Sequence, residues 1–395
     1  MTCAVVVIDG EHYAPVVRDA IAGLPYDVVG AWFAGGTEKL RGDADYGVPL
    51  LQELADAFER AEVVVDLSDE PVLSPPDRFL LASRALAAGL RYEGADFRFD
   101  PPQYAPFPLP SLAVIGTGKR VGKTAVTGHV VRLLARDREV VVVAMGRGGP
   151  TEPVVATVQP TLDSLLELSR SGEHAASDYL ETAALTGVVT VGCRRAGGGL
   201  AGAVTASNVL EGAALAAERE PDVVVFDGSG AAIPPVDVDA RILVSGTGHD
   251  PTAYLNPYRV LVSDLVVLVG GAGDADAIGR LKDVPVVPAE LRLRPAAPLT
   301  GRRVAVFTTG PAPTEHLDGE LVAVSRNLAD RAKLREDLAR TDADVYLVEI
   351  KAAAIDVVAE VAAERGVEVV FADNEVVAAE LDEAILTLVP AGMRA

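Results

Sequence analysis

Gly116–Thr124 reads GTGKRVGKT and lies between a predicted strand and a predicted helix. The apolar run Leu112–Ile115 precedes it and predicts a buried strand, and Ala125–Ala135 follows it and predicts a helix. A strand, a glycine-rich loop ending in Gly-Lys-Thr and a helix form the setting of a phosphate-binding loop, or P-loop. In such a loop, Lys123 reaches the terminal phosphates of a nucleotide and Thr124 ligates Mg²⁺. The stretch therefore predicts an α/β protein that binds a nucleotide.

The loop departs from the usual P-loop pattern at one position. That pattern has a glycine five residues before Gly122, where this chain has Thr117 between Gly116 and Gly118. The two flanking glycines still let backbone N–H groups approach phosphate oxygens, and the helix N-terminus adds positive potential. The residues that we predict to bind the nucleotide are Gly116, Thr117, Gly118, Val121, Gly122, Lys123, Thr124 and Ala125.

A second apolar strand ends in a carboxylate. Asp222–Gly230 reads DVVVFDGSG, so a buried strand would deliver Asp227 to the edge of the sheet. Carboxylate and hydroxyl oxygens are hard ligands that suit Mg²⁺, and the small residues after Asp227 would let the backbone approach phosphates. We therefore predict a metal site formed by Thr124 and Asp227.

The charge balance makes the few clustered basic residues informative. The chain has 35 Lys and Arg against 57 Asp and Glu, a formal net charge of −22, which argues against a nucleic-acid or anionic-membrane partner. Several cations nevertheless lie in the P-loop or just past a predicted parallel strand, where doubly wound sheets bind ligands. They are Lys119, Arg120, Arg147, Arg194 and Arg195. Arginine forks hold phosphate or carboxylate in two-point contacts, so we predict a second, strongly anionic ligand. We assign Lys119 and Arg120, with Lys123, to the transferred phosphoryl group.

The 395 residues suffice for two or three domains. Asp100–Pro110 and Arg292–Pro298 are rich in proline and are predicted to be linkers or domain edges. We expect a Rossmann-like α/β domain over residues 1–100, a linker over 101–110, a P-loop core over 111–295 and a C-terminal α/β lobe over 301–395. The last lobe either stands alone or extends the sheet of the core.

The same alternation of strands and helices runs through all three regions, and strands that are apolar on both faces predict a parallel sheet between helices. The predicted strands are Ala4–Ile8, Val28–Phe33, Val63–Leu67, Leu112–Ile115, Val140–Ala144, Val188–Val191, Asp222–Phe226, Ile242–Ser245, Leu265–Val269, Val304–Phe307, Val345–Glu349 and Val367–Phe371. Predicted helices of the first region are Ala14–Gly23, Leu50–Arg60 and Arg78–Ala88.

Cysteine usage and apolar runs bear on the compartment. Cys3 and Cys193 are the only cysteines and have no metal-binding spacing, and the first residues lack a basic leader. No apolar run approaches the roughly 18 residues of a membrane span. We therefore expect a cytoplasmic protein.

Two resemblances refine this interpretation. The loop form G-T-x-x-x-V-G-K-T resembles that of dethiobiotin synthetase, a P-loop enzyme of ATP-driven ring closure, over the middle region only. Along nearly the whole chain, six stretches together resemble the cyclic 2,3-diphosphoglycerate synthetase family. They are IDGEHYAPV at Ile8–Val16, GTGKRVGKTAV at Gly116–Val126, MGRGGPTEPV at Met145–Val154, GCRRAGGGLAGA at Gly192–Ala203, FDGSGAAIPPV at Phe226–Val236 and VEIKAAAIDVV at Val348–Val358.

The resemblance implies an enzyme that uses ATP and Mg²⁺ to join the two phosphates of 2,3-diphosphoglycerate into a cyclic diphosphate, releasing ADP and phosphate. By analogy with dethiobiotin synthetase, the reaction would pass through a phosphorylated substrate. The candidate ligands of the diphosphoglycerate are Arg147, Arg194, Arg195 and Lys351. We expect a homo-oligomer, a dimer, while a requirement for K⁺ stays open.

Two other functions remain open on the residues alone. A kinase that phosphorylates an acid and releases the linear product needs the same loop and the same cations. A nucleotide switch or metal-chaperone GTPase shares the P-loop branch, but it usually carries an Asn-Lys-x-Asp motif, which this sequence lacks. The N-terminal region gathers polar residues after its predicted strands, and we expect it to shape substrate access or assembly.

Overall fold

A computed structural model describes residues 1–39, 44–156, 178–310, 312–350 and 355–389. The described part of the chain forms two mostly parallel β-sheets of six and thirteen strands. Its helices are Ala14–Gly23, Pro75–Ala87, Lys123–Leu134, Asp178–Thr186, Val209–Ala217, Asn256–Leu261, Ala275–Leu281, Arg331–Arg340, Ile355–Arg365 and Leu381–Leu388, with a 3₁₀ helix at Leu54–Ala57. The α/β class predicted from the sequence is confirmed.

The first sheet belongs to the N-terminal region. Its strands are β1 (Cys3–Ile8), β2 (Asp27–Phe33), β3 (Leu50–Leu51), β4 (Val63–Asp66), β5 (Arg91–Glu93) and β6 (Arg98–Phe99). They are ordered β3-β2-β1-β4-β5-β6, and β1 pairs in parallel with both β2 and β4. Through β3-β2-β1-β4-β5 this order follows that of the Rossmann fold, whose ligand crevice lies where the winding reverses, whereas β6 pairs antiparallel with β5. The helix Pro75–Ala87 begins with a capping box between Ser74 and Asp77.

One predicted helix of this region is wrong. Leu50–Arg60 is not a continuous helix, because Leu50–Leu51 forms β3 and only Leu54–Ala57 makes a 3₁₀ turn. Leu51 pairs with Trp32 of β2. Pairing with the sheet edge therefore overrides the local helical preference of this segment.

The second sheet carries the P-loop. Its strands are β7 (Ser111–Gly116), β8 (Val140–Gly146), β9 (Val154–Ala156), β10 (Val189–Ala196), β11 (Ala206–Ser207), β12 (Val223–Asp227), β13 (Ala240–Gly246), β14 (Leu265–Val269), β15 (Val286–Pro295), β16 (Arg303–Phe307), β17 (Glu320–Ser325), β18 (Val345–Glu349) and β19 (Glu368–Val377). The order is β11-β10-β8-β12-β7-β13-β14-β15-β19-β18-β16-β17, with β9 beside β10. Every residue of β7, β8 and β12 is buried, as expected for strands covered by helices on both faces.

Of the two interpretations of Arg292–Pro298, a linker is wrong up to Pro295, whereas a domain edge stays a prediction. That segment belongs to β15, which pairs in parallel with β14 through its first half and antiparallel with β19 through its second half. Alternate side chains of β15 are buried, so packing holds the segment extended despite its prolines. The C-terminal lobe therefore extends the sheet of the core, the second of the two arrangements that the sequence allowed.

The P-loop helix Lys123–Leu134 is covered by the end of the chain. Val126 and Val130 share a buried apolar cluster with Leu381 and Ile385 of the last described helix. On the other side of the sheet, the N-terminal helix Pro75–Ala87 packs against Asn256–Leu261. No helix within the described ranges is both long and apolar enough to span a membrane.

Candidate functional site

The turn that joins β7 to the helix Lys123–Leu134 requires glycine. Gly122 caps the helix at φ +87°, and a Cβ on it would lie 3.0 Å from Val269 and 3.2 Å from Leu291. Arg120 also has a positive φ of 62°, and its side chain is exposed. The loop thus turns through two left-handed residues before the helix starts, a backbone form that suits an anion-binding concavity.

The first glycines of the loop lie against the ends of neighbouring strands. A Cβ on Gly116 would come within 3.0 Å of the Gly230 carbonyl oxygen, and one on Gly118 would overlap the ring of His249. Thr117 is buried and donates to the Ser245 hydroxyl at 3.2 Å. Val121 and Ala125 are also buried. The loop is therefore held by packing on both sides, and its glycines are needed for close approach.

Asp227 at the end of β12 accepts from two side chains of the P-loop helix. Lys123 Nζ contacts Asp227 Oδ1, and Thr127 Oγ1 donates to the same oxygen at 2.7 Å. The side chains of Lys123 and Asp227 are 10% and 13% exposed, so this ion pair is well shielded from water. Thr127 is not among the site residues predicted from the sequence, although its spacing of four residues from Lys123 puts both on one helix face.

Two of the predicted cationic groups, those of Arg147 and Arg195, lie at the turn that follows Asp227, and the side-chain stem of Lys119 lies nearby. A Cβ placed on Gly230 would lie 2.5 Å from Arg147 Nη2 and 3.8 Å from Lys119 Cγ. Arg195 Nη2 donates to the Ser229 carbonyl at 2.8 Å and lies 3.3 Å from its hydroxyl. We call Lys119, Arg147 and Arg195 the Gly230 cluster. These strand-end cations come together as the parallel-sheet rule predicts.

The electrostatics of this cluster favour an anion. Burial, and next the nearby charge of Arg147, lower the pKa of Arg195. Within the described chain, the Nε of Arg195 is buried and has no hydrogen-bond partner. Two guanidinium groups that repel one another beside an unsatisfied donor would be stabilised by a bound phosphate or carboxylate.

Two other predicted ligands are not part of this cluster. Arg194 is next to Arg195 on β10, where successive side chains point to opposite faces, and its Nη1 donates to Thr151 at 3.1 Å. Lys351 lies outside the described residues. Their assignment to the substrate stays a prediction.

A cavity that was not predicted from the sequence lies beside the P-loop. It has a volume of about 190 Å³ and lies between the ends of β13 and β14. Its lining residues are Ser245, Gly246, Thr247, Gly248, Leu268, Val269, Gly270, Gly271, Gly273 and Asp274. The available signal was the pair of glycine-rich stretches SGTG, at the end of β13, and GGAG, directly after β14.

Comparison with known proteins assigns this chain to a family. Three family models match the chain, and all three describe parts of cyclic 2,3-diphosphoglycerate synthetase. The N-terminal domain model matches residues 3–100, the P-loop domain model 111–283 and the C-terminal domain model 295–375. The P-loop core predicted from Gly116–Thr124 is therefore confirmed.

Curated relatives share most of their length with this chain. A cyclic 2,3-diphosphoglycerate synthetase of Rubrobacter xylanophilus is 50% identical over 98% of this chain and 97% of its own. The enzyme of that name from Thermococcus kodakarensis is 42% identical over 94% of each chain. Among solved structures, LpxK from Aquifex aeolicus aligns with a TM-score of 0.44 and 15% identity over 73% of this chain and 91% of that chain. The identity and the coverage of the curated relatives show that this chain belongs to the cyclic 2,3-diphosphoglycerate synthetase family of enzymes.

Proposed function

We propose that this enzyme uses ATP and Mg²⁺ to close 2,3-diphosphoglycerate into its cyclic diphosphate, with release of ADP and inorganic phosphate. The observation that carries the proposal is the Gly230 cluster, which adjoins the P-loop through the contact between Gly116 and the Gly230 carbonyl. A bisphosphorylated acid bound there would lie beside the terminal phosphate of a nucleotide in the P-loop. The names of the relatives point to the same substrate.

The proposed binding site of the nucleotide is separate from that of the acid. The P-loop backbone would cradle the phosphates of ATP, and the cavity between β13 and β14 would take its nucleoside. Thr117 links these two parts through its hydrogen bond to Ser245, which lines the cavity. Arg147 and Arg195 would then be left for the acid.

The donor set at the end of β12 fits Mg²⁺. Thr124 offers a hydroxyl and Asp227 a carboxylate, both hard oxygen ligands, and no sulfur or imidazole is among them. When bound, the ion would neutralise charge on the phosphates that are brought together. Lys123, which contacts Asp227, would share this task at the terminal phosphate.

The reaction requires the protein to position the reacting phosphates and to neutralise their charge. One phosphate oxygen of the acid attacks the γ-phosphorus of ATP, the bond to the β–γ bridging oxygen breaks, and ADP leaves. The second phosphate of the acid then attacks the activated phosphorus, and inorganic phosphate leaves as the ring closes. Because both phosphates are held on one carbon skeleton, the second step gains an effective molarity worth about 7 to 11 kcal/mol in favourable systems.

The basic residues near the P-loop divide into two groups with different roles in this reaction. Lys123 and Lys119 would stabilise the charge that develops on the transferred group, since preorganised donors are the main contribution to phosphoryl transfer. Arg120, exposed on the loop, would assist them. Arg147 and Arg195 would hold the two phosphates of the acid and reduce their mutual repulsion.

The decisive test is phosphorus NMR of the purified protein with Mg²⁺, ATP and 2,3-diphosphoglycerate at low and high KCl. We expect a new upfield diphosphate signal that grows together with ADP and inorganic phosphate. Omission of the acid, and its replacement by 3-phosphoglycerate, are the controls. ADP formed with a phosphorylated linear product would instead identify a kinase, and no nucleotide turnover would contradict both assignments.

Both cysteines are free thiols, which supports a reducing cytoplasm as the place of this reaction.

A further inference from the structure

The helix Asn256–Leu261 buries an arginine that the proposed reaction does not use. Arg259 is 2% exposed, and within the described chain it forms no ion pair with a carboxylate. Burial lowers its pKa to about 10, still far above neutral pH, so the group stays charged. A charged group that is buried without a counter-ion is costly, and it needs hydrogen bonds to be tolerated.

The hydrogen-bond acceptors of the Arg259 side chain in the described chain are neutral oxygens. They belong to two different loops and to the start of the helix that carries Arg259. Nε and Nη2 donate to the Ala231 carbonyl at 3.0 and 2.6 Å, and Nη1 donates to the Leu200 carbonyl at 2.9 Å. Nη1 also reaches the Leu255 carbonyl and the Asn256 side chain at 3.3 and 3.2 Å. One guanidinium therefore joins the loop after β12 to the loop after β10.

The loop after β12 is held by arginines at three consecutive residues. Arg195 donates to the Ser229 carbonyl, Arg147 lies against Gly230, and Arg259 donates to the Ala231 carbonyl. Ser229 and Ala232 close this turn by exchanging backbone hydrogen bonds of 3.3 and 3.0 Å. The first two arginines belong to the Gly230 cluster, whereas Arg259 reaches the turn from inside the protein.

We propose that Arg259 is a positioning residue for the anionic substrate. By fixing the turn Ser229–Ala231 against Leu200, it sets the spacing between Arg195 and Arg147, the two groups that would bind the substrate phosphates. Its buried charge also adds positive potential behind the turn. The inference rests on the proposed function for the identity of the anion, but the positioning itself concerns the described residues alone.

The test compares Arg259→Ala and Arg259→Lys with Arg365→Ala. Arg365 is the control for loss of a guanidinium that donates to neutral oxygens: its side chain is exposed, and its Nη1 donates to Leu338, Thr341 and Tyr346 in the C-terminal lobe. We expect Arg259→Ala to raise KM for 2,3-diphosphoglycerate about 10- to 100-fold, since a misplacement near 1 Å can cost that much, with KM for ATP changed less than about 3-fold. Lysine should restore part of the affinity.

Guanidinium rescue separates positioning from general destabilisation. Guanidinium ions at low millimolar concentration should enter the space left in Arg259→Ala and lower KM for the acid again, while NaCl of equal ionic strength should not. A fall in thermal stability with both KM values unchanged would overturn the inference. So would a rescue of the melting temperature without a rescue of KM.

Hydrogen exchange gives a readout that needs no substrate. Peptides over residues 197–202 and 228–233 should exchange faster in Arg259→Lys than in the unmodified protein, and should be unchanged in Arg365→Ala. Equal exchange in all three would overturn the positioning role. Absence of synthetase activity in the unmodified protein, with faster exchange in Arg259→Lys, would instead contradict the proposed function and leave the positioning role supported.

Discussion

Lys123 is the side chain through which the P-loop contacts the end of β12. We expect Lys123→Ala to lower ATP-dependent turnover by a factor of about 10² to 10³, because a preorganised donor to the transferred group is lost. Release of ADP and phosphate measures this. Lys282→Ala is the control, since Lys282 donates to the Ser263 backbone carbonyl instead of to a carboxylate. Equal turnover in both variants would remove Lys123 from the proposed mechanism.

Gly230 is needed both for its backbone form and for the space beside it. Its φ is +61°, and a Cβ would press on Arg147. We expect Gly230→Ala to cost about 1 to 2 kcal/mol of stability and to raise KM for the acid more than KM for ATP. Gly279→Ala, in the helix Ala275–Leu281 with open space around it, should be neutral or stabilising by up to about 1 kcal/mol. Thermal melts and steady-state kinetics of both variants check this.

The two thiols should differ in reactivity. Cys193 is buried, and burial raises the pKa of its thiol to about 12, so almost no thiolate forms at pH 8. Cys3 is partly exposed. Iodoacetamide at pH 8 should therefore add one label to the native protein and two after denaturation, as read by intact mass. Two labels on the native protein would contradict the packing around Cys193.

At the scale of elements, the P-loop helix is tied to the C-terminal segment by two contacts with carboxylates. Arg132 contacts Asp373 of β19 at 3.2 Å, and His129 contacts Asp382 at 2.6 Å. Asp373 also contacts Arg294 at 3.2 Å, and its side chain is 13% exposed, whereas that of Asp382 is 47% exposed. The two carboxylates therefore differ in how much water screens them.

We expect Asp373→Asn to destabilise the protein by about 1 to 3 kcal/mol, because it leaves the half-buried Arg132 without its counter-charge. Asp382→Asn should cost at most about 1 kcal/mol, as is usual for exposed pairs. Urea unfolding of the two variants gives the comparison. A larger effect of Asp382→Asn would show that the pair with His129 holds the helix instead.

The strands and the site were predicted from the sequence to different degrees. Strands such as β7 and β12 could be predicted because runs of Val and Ile are buried on both faces. The meeting of Arg147 and Arg195 followed from the parallel-sheet rule. The second half of β15, from Arg292 to Pro295, was predicted to be a linker or domain edge and not a strand, because its pairing with β19 depends on residues far away in the chain. Arg259 could not be found, since nothing local distinguishes a buried arginine from a solvated one.

At the scale of the whole molecule, removal of the N-terminal region leaves the second sheet complete, whereas removal of the C-terminal region interrupts it. A chain of residues 101–395 keeps all strands of the second sheet and loses only the first. A chain that ends at residue 300 keeps β7 to β15 but leaves the second half of β15 without β19. Leu293 of this half would lose the apolar residues of β19 that it packs with, and an unpaired strand edge is a site of aggregation.

We therefore expect the fragment 101–395 to remain soluble, with reduced synthetase activity, and the fragment 1–300 to aggregate. Size-exclusion chromatography of both fragments measures this. Full activity of 101–395 would contradict a role of the N-terminal domain in substrate access or assembly. A monomeric, folded 1–300 would show that the P-loop core closes its sheet without β19.

The position of β19 in the chain also determines when the second sheet can be completed during synthesis. The ribosome completes the P-loop and the strands around it early, but β15 gains its second neighbour only when residues 368–377 have emerged. The cover of the P-loop helix by Leu381 and Ile385 comes later still. During synthesis, the nascent chain therefore carries an unfinished sheet edge until β19 has emerged, and loss of residues 368–388 would remove the part that completes the nucleotide-binding core.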